Sequence, residues 1–216
     1  MASLFEQYRP RCWEDVIGQD KAVAVCKLQV QRGLGGKAIW ISGKSGTGKT
    51  TLAKLLAAEF ADELDVEELT ADGLKRVEVV ELEKRYRKYR PMSGRGLVVI
   101  LNEAHRAKDG IVGELLNMLE RLPAWVCWIF TTTVDGQALF EDHADSAPFL
   151  SRCVKVTLTQ RDLCEPFARR LMEVAKAEGL DGKDFGAYVR LMKDRGNNMR
   201  AGYCDLEAGA MLGGEK

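Results

Sequence analysis

Gly43-Lys44-Ser45-Gly46-Thr47-Gly48-Lys49-Thr50 matches the pattern GxxxxGK[ST] in full. Each position answers a need of phosphate chemistry. Glycines let main-chain amides turn inward and approach phosphate oxygens, and a helix starting at the end of the loop aims its unpaired amides at the same anion. The Lys49 ammonium neutralises β- and γ-phosphate charge, and the Thr50 hydroxyl is a ligand for Mg²⁺. The flanks agree. Residues 38–42 (AIWIS) read as a buried strand running into the loop, and Leu52, Leu55, Leu56 and Phe60 recur at helical spacing across residues 50–64. The stretch predicts a strand–loop–helix unit holding a nucleoside triphosphate, ATP with Mg²⁺, on Ser45, Gly46, Thr47, Gly48, Lys49, Thr50 and Thr51.

Further along the chain, residues 97–101 (LVVIL) are continuously apolar, as a strand buried on both faces requires. Residues 76–82 (RVEVVEL) alternate and are β-branched, which predicts another strand, as do residues 125–131 and 153–158. Residues 111–122 read as a helix with Asp109 as its N-cap. Strands alternating with helices imply an α/β fold, a parallel five-stranded sheet sandwiched by helices. After Leu158 the strand signal stops. Residues 166–179 and 185–195 read as helices, with Pro166 in a first turn where no amide donor is lost, and a third helix is expected after Arg200. The expected division is an α/β nucleotide-binding domain over residues 1–157 and a small helical lid over 158–216. Gly213, Gly214, Glu215 and Lys216 are expected to fray.

Composition narrows the setting. The 216 residues carry 32 basic and 32 acidic side chains, so net charge gives no vote for nucleic acid. The opening MASLFEQYRPRCWEDV has no apolar run, and no segment approaches the ~18–20 residues a membrane span needs. A cytoplasmic, non-secreted protein with no membrane partner is expected. Six cysteines without a CxxC pair, and only His105 and His143 beside them, argue against zinc ligation and a disulfide framework. The thiols read as small core residues in a reducing compartment.

Strand 97–101 runs into Asn102-Glu103-Ala104-His105. Phosphate-transfer sites of this kind need an acidic pair at a strand end, one carboxylate for Mg²⁺ and one for the attacking water. Glu103 suits the second role. Asn102 stands where Asp is expected for the metal, and an amide brings no negative charge. That predicts weaker Mg²⁺ coordination and slower turnover with ATP binding kept. His105 reads as a packing or surface residue.

These motifs, in this order, resemble the clamp-loader branch of the AAA+ ATPases, which includes the DNA polymerase III gamma/tau subunit and the replication factor C small subunits. Tyr8-Arg9-Pro10 followed by Trp13-Glu14-Asp15-Val16-Ile17-Gly18-Gln19 resembles the family's opening "YRP…F-x-x-VIGQ". Residues 115–123 (LLNMLERLP) resemble its "LLKTLEEPP" helix, Trp128-Ile129-Phe130-Thr131-Thr132-Thr133 its sensor 1 strand, Ser151-Arg152-Cys153 its SRC motif, and Gly196-Asn197-Asn198-Met199-Arg200 its sensor 2 helix, with one extra residue. The likeness covers nearly the whole chain. It implies that Tyr8, Arg9, Pro10, Val16 and Ile17 lie around the adenine base and that Thr133, or second to it Thr132, orients the attacking water. It gives Arg200 the γ-phosphate of the same chain and Arg152 the ATP of a neighbouring subunit. It also implies partners: other clamp-loader-like subunits, a sliding clamp and primer–template DNA. The family's collar domain and the gamma/tau zinc site have no counterpart in the sequence.

Residues 83–90 (EKRYRKYR) interleave Arg85, Arg87, Lys88 and Arg90 with Tyr86 and Tyr89, which suits either nucleic-acid contact or a solvated or subunit-contacting segment. Three functions stay open: a clamp-loading ATPase, an ATP-binding structural subunit that mainly presents Arg152, and another DNA-acting AAA+ ATPase of branch migration or recombination.

Overall fold

The computed structural model describes residues 3–91, 94–141 and 145–213. His143, Gly214, Glu215 and Lys216, about which the sequence raised expectations, lie outside them. The elements are α1 (Leu4–Gln7), α2 (Asp20–Gln31), β1 (Lys37–Ser42), α3 (Lys49–Phe60), β2 (Ala61–Thr70), α4 (Arg76–Lys88), β3 (Gly96–Asn102), α5 (Asp109–Leu119), β4 (Val126–Thr132), α6 (Val134–Glu141), α7 (Ser146–Ser151), β5 (Cys153–Thr157), α8 (Cys164–Glu178), α9 (Phe185–Asp194) and α10 (Met199–Glu207). They fall into two compact units, one of residues 21–43 and 49–158, the other of residues 1–20, 44–48 and 159–216.

In the first unit five parallel strands form one sheet in the order β2-β3-β4-β1-β5. The order reverses beside β1, and the crevice beyond the carboxyl ends of the strands at such a point is where open α/β sheets bind ligands. The sheet is covered on both faces because its central strands are apolar on both. Trp40, Val99, Leu101, Trp128 and Phe130 join one core with Val79, Leu82 and Tyr86 of α4, Leu115 of α5 and Phe149 of α7. Trp40 packs on Phe140 and Phe149 with ring centroids 4.7 and 5.9 Å apart. The alternate residues Ile39, Ile41, Val98, Ile100 and Ile129 are also fully buried, and α3 packs on β1, β2, β3 and β4.

One strand expectation is overturned. Residues 76–82 are helical, the first half of α4. Val79, Leu82 and Tyr86 recur at i, i+3 and i+7 and are buried on one stripe, and the Glu78 side chain accepts from the Lys75 amide at 2.7 Å to close the helix start. The strand is instead β2, whose sequence ADELDVEELT carries five carboxylates. An edge strand tolerates such charge because one of its sides stays open to water. Two smaller corrections concern helix ends. α3 stops at Phe60 because β2 begins at Ala61, and α5 begins at Asp109 with Lys108 in the capping position.

The second unit gathers α1, α8, α9 and α10 around Phe167, Leu171, Tyr188, Met192 and Leu206. Asp184 and Asn198 cap α9 and α10, each accepting from an amide at 3.2 Å. Gly179 ends α8 at φ 69°, the left-handed turn that favours glycine. Residues 1–20, expected with the sheet, cluster here. Leu4 is buried in this core, its amide donates to Glu207 Oε1 at 2.6 Å, and Gln19 exchanges two 2.9 Å hydrogen bonds with the Thr159 main chain.

Candidate functional site

The phosphate loop leaves β1 at Ser42 and enters α3 at Lys49. The first amides of α3 lack partners within the helix, so its positive end faces the loop. Gly46 and Gly48 have φ of 75° and 106°, which L-residues adopt only under strain. A Cβ on Gly46 would stand 1.9 Å from the Asn198 side-chain oxygen, and the Gly46 carbonyl accepts from the Met199 amide at 3.4 Å. Loop residues 44–48 thus rest on the start of α10, one residue from Arg200. Thr47 is buried, and its hydroxyl braces the turn by donating to the Lys44 carbonyl at 2.8 Å. Lys49 folds back so that Nζ donates to the Gly43 carbonyl at 2.9 Å.

Beyond the loop, the carboxyl ends of β3 and β4 carry the polar groups. Asn102 Nδ2 donates to Glu68 Oε1 at 2.7 Å, and Asn102 Oδ1 accepts from Thr131 Oγ1 at 2.8 Å. Glu103 adopts φ 53° and ψ 44°. A non-glycine residue in this left-handed region marks stored strain, of the kind found where a side chain must be aimed. Its carboxylate pairs with Arg106 Nε at 2.8 Å. His105 Nδ1 meets Thr132 Oγ1 at 3.0 Å, and burial holds its pKa below the ordinary value. Thr133 Oγ1 accepts from the Gly136 amide at 2.9 Å and so caps α6.

Among the sensor 1 candidates, then, Thr133 caps a helix, Thr132 meets His105, and Thr131 is the hydroxyl that reaches Asn102. Sequence reasoning singled out neither Thr131 nor Glu68. A polar residue alternating with apolar ones at the end of a strand is the signal that could have found them.

Arg152 lies elsewhere. It immediately precedes β5, and the parallel register pairs Ala38 with Cys153 and Ser42 with Thr157. Arg152 therefore sits at the amino rim of the sheet while the loop leaves the carboxyl rim, about 16 Å away at ~3.3 Å per residue. Its guanidinium donates to Glu120 Oε1 at 2.6 Å and to the Pro148 carbonyl at 2.8 Å.

In the other unit, Arg200 is exposed and its guanidinium lies 4.4 Å from the centre of the Phe5 ring, with Arg9 at 4.5 Å from the same ring. Tyr8 donates to Glu178 at 2.6 Å. Pro10, Val16 and Ile17 are half-buried.

The basic segment is largely spent on the fold. Tyr86 is buried in the core, its hydroxyl donating to Glu67 at 2.9 Å, and Arg85 pairs with the same carboxylate. Arg87 pairs with Glu83 at 2.8 Å, and Arg90 lies 4.3 Å over Trp125. Tyr86 cannot stack on a base. A groove of about 540 Å³ beside β2 is lined by Glu67, Asp72, Glu78 and Glu81, with Arg85 as its one cation among the described residues, a net negative charge that disfavours phosphate.

The donor set fits a triphosphate carrying its own Mg²⁺. The loop offers main-chain amides, an ammonium and the Thr50 hydroxyl. Among the described residues, no cluster of His, Cys, Asp and Glu forms a metal cage. Cys26 and Cys127 are buried and Cys153 half-buried, with burial pushing each thiol up to about 12, whereas Cys12 and Cys204 are exposed, contrary to the core expectation for those two. Among the described residues no helix is long and apolar enough to cross a membrane.

Comparison with known proteins places these features in company. The profile of the ATPase family associated with various cellular activities (AAA) matches residues 39–153, more than half of the chain. The replication factor C small subunit of Picrophilus torridus is 29% identical over 184 residues, covering 83% of this chain and 55% of its own length. The DNA polymerase III subunit gamma/tau of Mycoplasma genitalium is 27% identical, covering 81% of this chain and 32% of its own length. The chain thus spans about half or less of these relatives. Among solved structures, the Holliday junction branch migration motor RuvB of Thermotoga maritima superposes with a TM-score of 0.64 at 20% identity, over 93% of this chain and 64% of that one. At that identity the likeness is one of fold.

Proposed function

The chain belongs to the ATPase family associated with various cellular activities, and from that premise we propose that it is a clamp-loader-like subunit that binds ATP with Mg²⁺ and hydrolyses it to ADP and phosphate within an oligomer. Its partners are related subunits, its own copies or others, and its work is on a sliding clamp and primer–template DNA in the cytoplasm, with the nucleoid. The replication factor C and gamma/tau relatives support that choice within the family.

The residues divide the chemistry. The amides of residues 45–51 and Lys49 grip the phosphates. Thr50 and Asn102 would hold Mg²⁺, which would supply charge neutralisation to the phosphates. Glu103, released from Arg106, orients the water and accepts its proton. Thr133 helps hold that water, and Arg200 senses the γ-phosphate. Arg152 serves the triphosphate of a neighbouring subunit, where a guanidinium spreads over phosphate oxygens as charge develops. The observation that carries this reading is the register of β1 with β5, which sets Arg152 at the rim opposite the loop. An arginine so placed cannot serve its own loop. ATP-driven closure follows because the γ-phosphate gives the ATP and ADP states different binding energies.

A second reading, an ATP-binding subunit with little turnover that presents Arg152 to an active neighbour, is favoured by the uncharged Asn102 and by the Glu103–Arg106 pair. Equilibrium binding of ATP, followed by turnover with and without clamp and primer–template DNA, separates the readings. Tight ATP binding with clamp- and DNA-stimulated turnover is expected. Binding without turnover supports the second reading, DNA stimulation that ignores the clamp points to a different DNA-acting ATPase, and no adenine-nucleotide binding overturns all three.

A further inference from the structure

Position 102 lacks the charge that Mg²⁺ asks for, yet a carboxylate touches it. Asn102 ends β3 between β2 and β4, and its amide is engaged on both sides, donating to Glu68 and accepting from Thr131, with a second lone pair left on the oxygen. The amide has one sensible orientation. Turned over, it would set its oxygen against the Glu68 carboxylate. Glu68 is therefore the group that aims Asn102.

A second contact ties Glu68 to the phosphate-binding helix. Lys54 lies one turn beyond Thr50 on α3, on the same helical face, and its Nζ is 3.2 Å from Glu68 Oε2. Lys54, Glu68, Asn102 and Thr131 thus form a continuous polar row across α3, β2, β3 and β4, on the side of the sheet where Thr50 begins the helix. Both members of the Lys54–Glu68 pair are about two-fifths exposed, 44% and 40%. Such a pair is weak and readily exchanged, so a divalent ion arriving with a triphosphate can draw on the carboxylate.

An aspartate at 102 would fit this setting badly. In the amide's place it would bring a second carboxylate to within hydrogen-bond distance of Glu68 and remove the donor between them, a strong like-charge repulsion. The chain carries one charge and one amide across two adjacent strands, with the charge on the outer one.

We propose that Glu68 is a positioning residue for Mg²⁺: it supplies the negative charge absent from position 102 and orients the Asn102 oxygen to accept from a metal-bound water. This rests on the triphosphate reading above, and it replaces the expectation that Asn102 simply weakens the site. The division of charge also predicts that the two side chains can be exchanged.

The test is a double-mutant cycle on the full chain, using a fluorescent ATP analogue bound first in EDTA and then across a Mg²⁺ titration, with melting temperature recorded for each protein. The affinity of wild type, Glu68→Gln, Asn102→Asp and the doubly exchanged protein in EDTA sets each protein's own metal-free baseline, against which its Mg²⁺ midpoint is read. The Mg²⁺ midpoint should rise about tenfold in Glu68→Gln, stay no better than wild type in Asn102→Asp, and return to within about threefold of wild type in the double variant. An unchanged midpoint in Glu68→Gln, or a lower one in Asn102→Asp alone, overturns the proposal. If Asn102→Asp does not fold, Glu68→Gln and the double variant still decide. Wild type that binds no analogue with or without Mg²⁺ defeats the triphosphate reading itself. Binding with a Mg²⁺ response indifferent to Glu68 defeats only this inference.

Discussion

At the carboxyl rim of the sheet, Gly43, Asn102 and Glu103 stand where β1 and β3 end, beside Thr131, the next-to-last residue of β4. At the amino rim, Arg152 leads into β5 and is held by Glu120 and the Pro148 carbonyl. The first rim collects what suits an anion and its metal: the start of α3 and a left-handed Glu103. The second offers a cation held by a carboxylate and a main-chain carbonyl. A strand's length separates the two rims of the parallel sheet, so residues on them do not share one triphosphate within the chain.

The sharpest way to break that contrast is Arg152→Ala. Turnover of the assembled protein should fall about 10³-fold, while ATP affinity of the isolated chain changes by less than about twofold. A fall in affinity of the isolated chain would put the arginine at its own site. Glu103→Gln should act on the other rim, lowering single-turnover rates about 10²-fold with ATP still bound. Retained turnover would move the base elsewhere.

Glu120→Gln sharpens the comparison more gently. It releases Arg152 from an exposed pair at 2.6 Å and should lower the protein concentration for half-maximal turnover by about threefold. No shift, or a rise, would mean that Glu120 orients the arginine. The smallest effect concerns His105. Burial lowers its pKa below 6.5, so the folded state favours the neutral ring, and this contribution to stability is present above pH 6.5 and lost as pH falls through the folded value. Unfolding free energy should drop between pH 7 and pH 5 a little more in wild type than in His105→Gln, by less than about 1 kcal/mol for a partly solvated ring. Parallel curves would show that His105 does not titrate with unfolding.

Much of this was legible in the chain because it is local. The phosphate loop needs glycines and a lysine at fixed spacing, and central strands such as VCWIFTT are apolar on both faces. What escaped was set by tertiary context. The stretch RVEVVEL looks like a strand because valine and glutamate alternate, yet it is helical, because Val79, Leu82 and Tyr86 find the sheet at helical spacing. The acidic ADELDVEELT looked nothing like a strand, since an edge position relieves it of the need for two apolar faces. Tyr86, in a segment that suited either nucleic-acid contact or a solvated or subunit-contacting face, is core. Glu68 was invisible because its partners, Lys54 and Asn102, are distant in sequence and meet only through the sheet order. Residues 1–20 joined the helical unit for the same reason: Glu207 and Glu178, which hold them, lie at the far end of the chain.

Calorimetric titration of ATP with Mg²⁺ into wild type, Lys49→Ala and Arg152→Ala most directly tests the assignment of grip to one rim and assistance to the other. Wild type and Arg152→Ala should bind alike, and Lys49→Ala should lose about 10²-fold in affinity, because it removes a charge-assisted contact to phosphate. Equal loss in Arg152→Ala and Lys49→Ala, or no heat of binding in wild type, would contradict it.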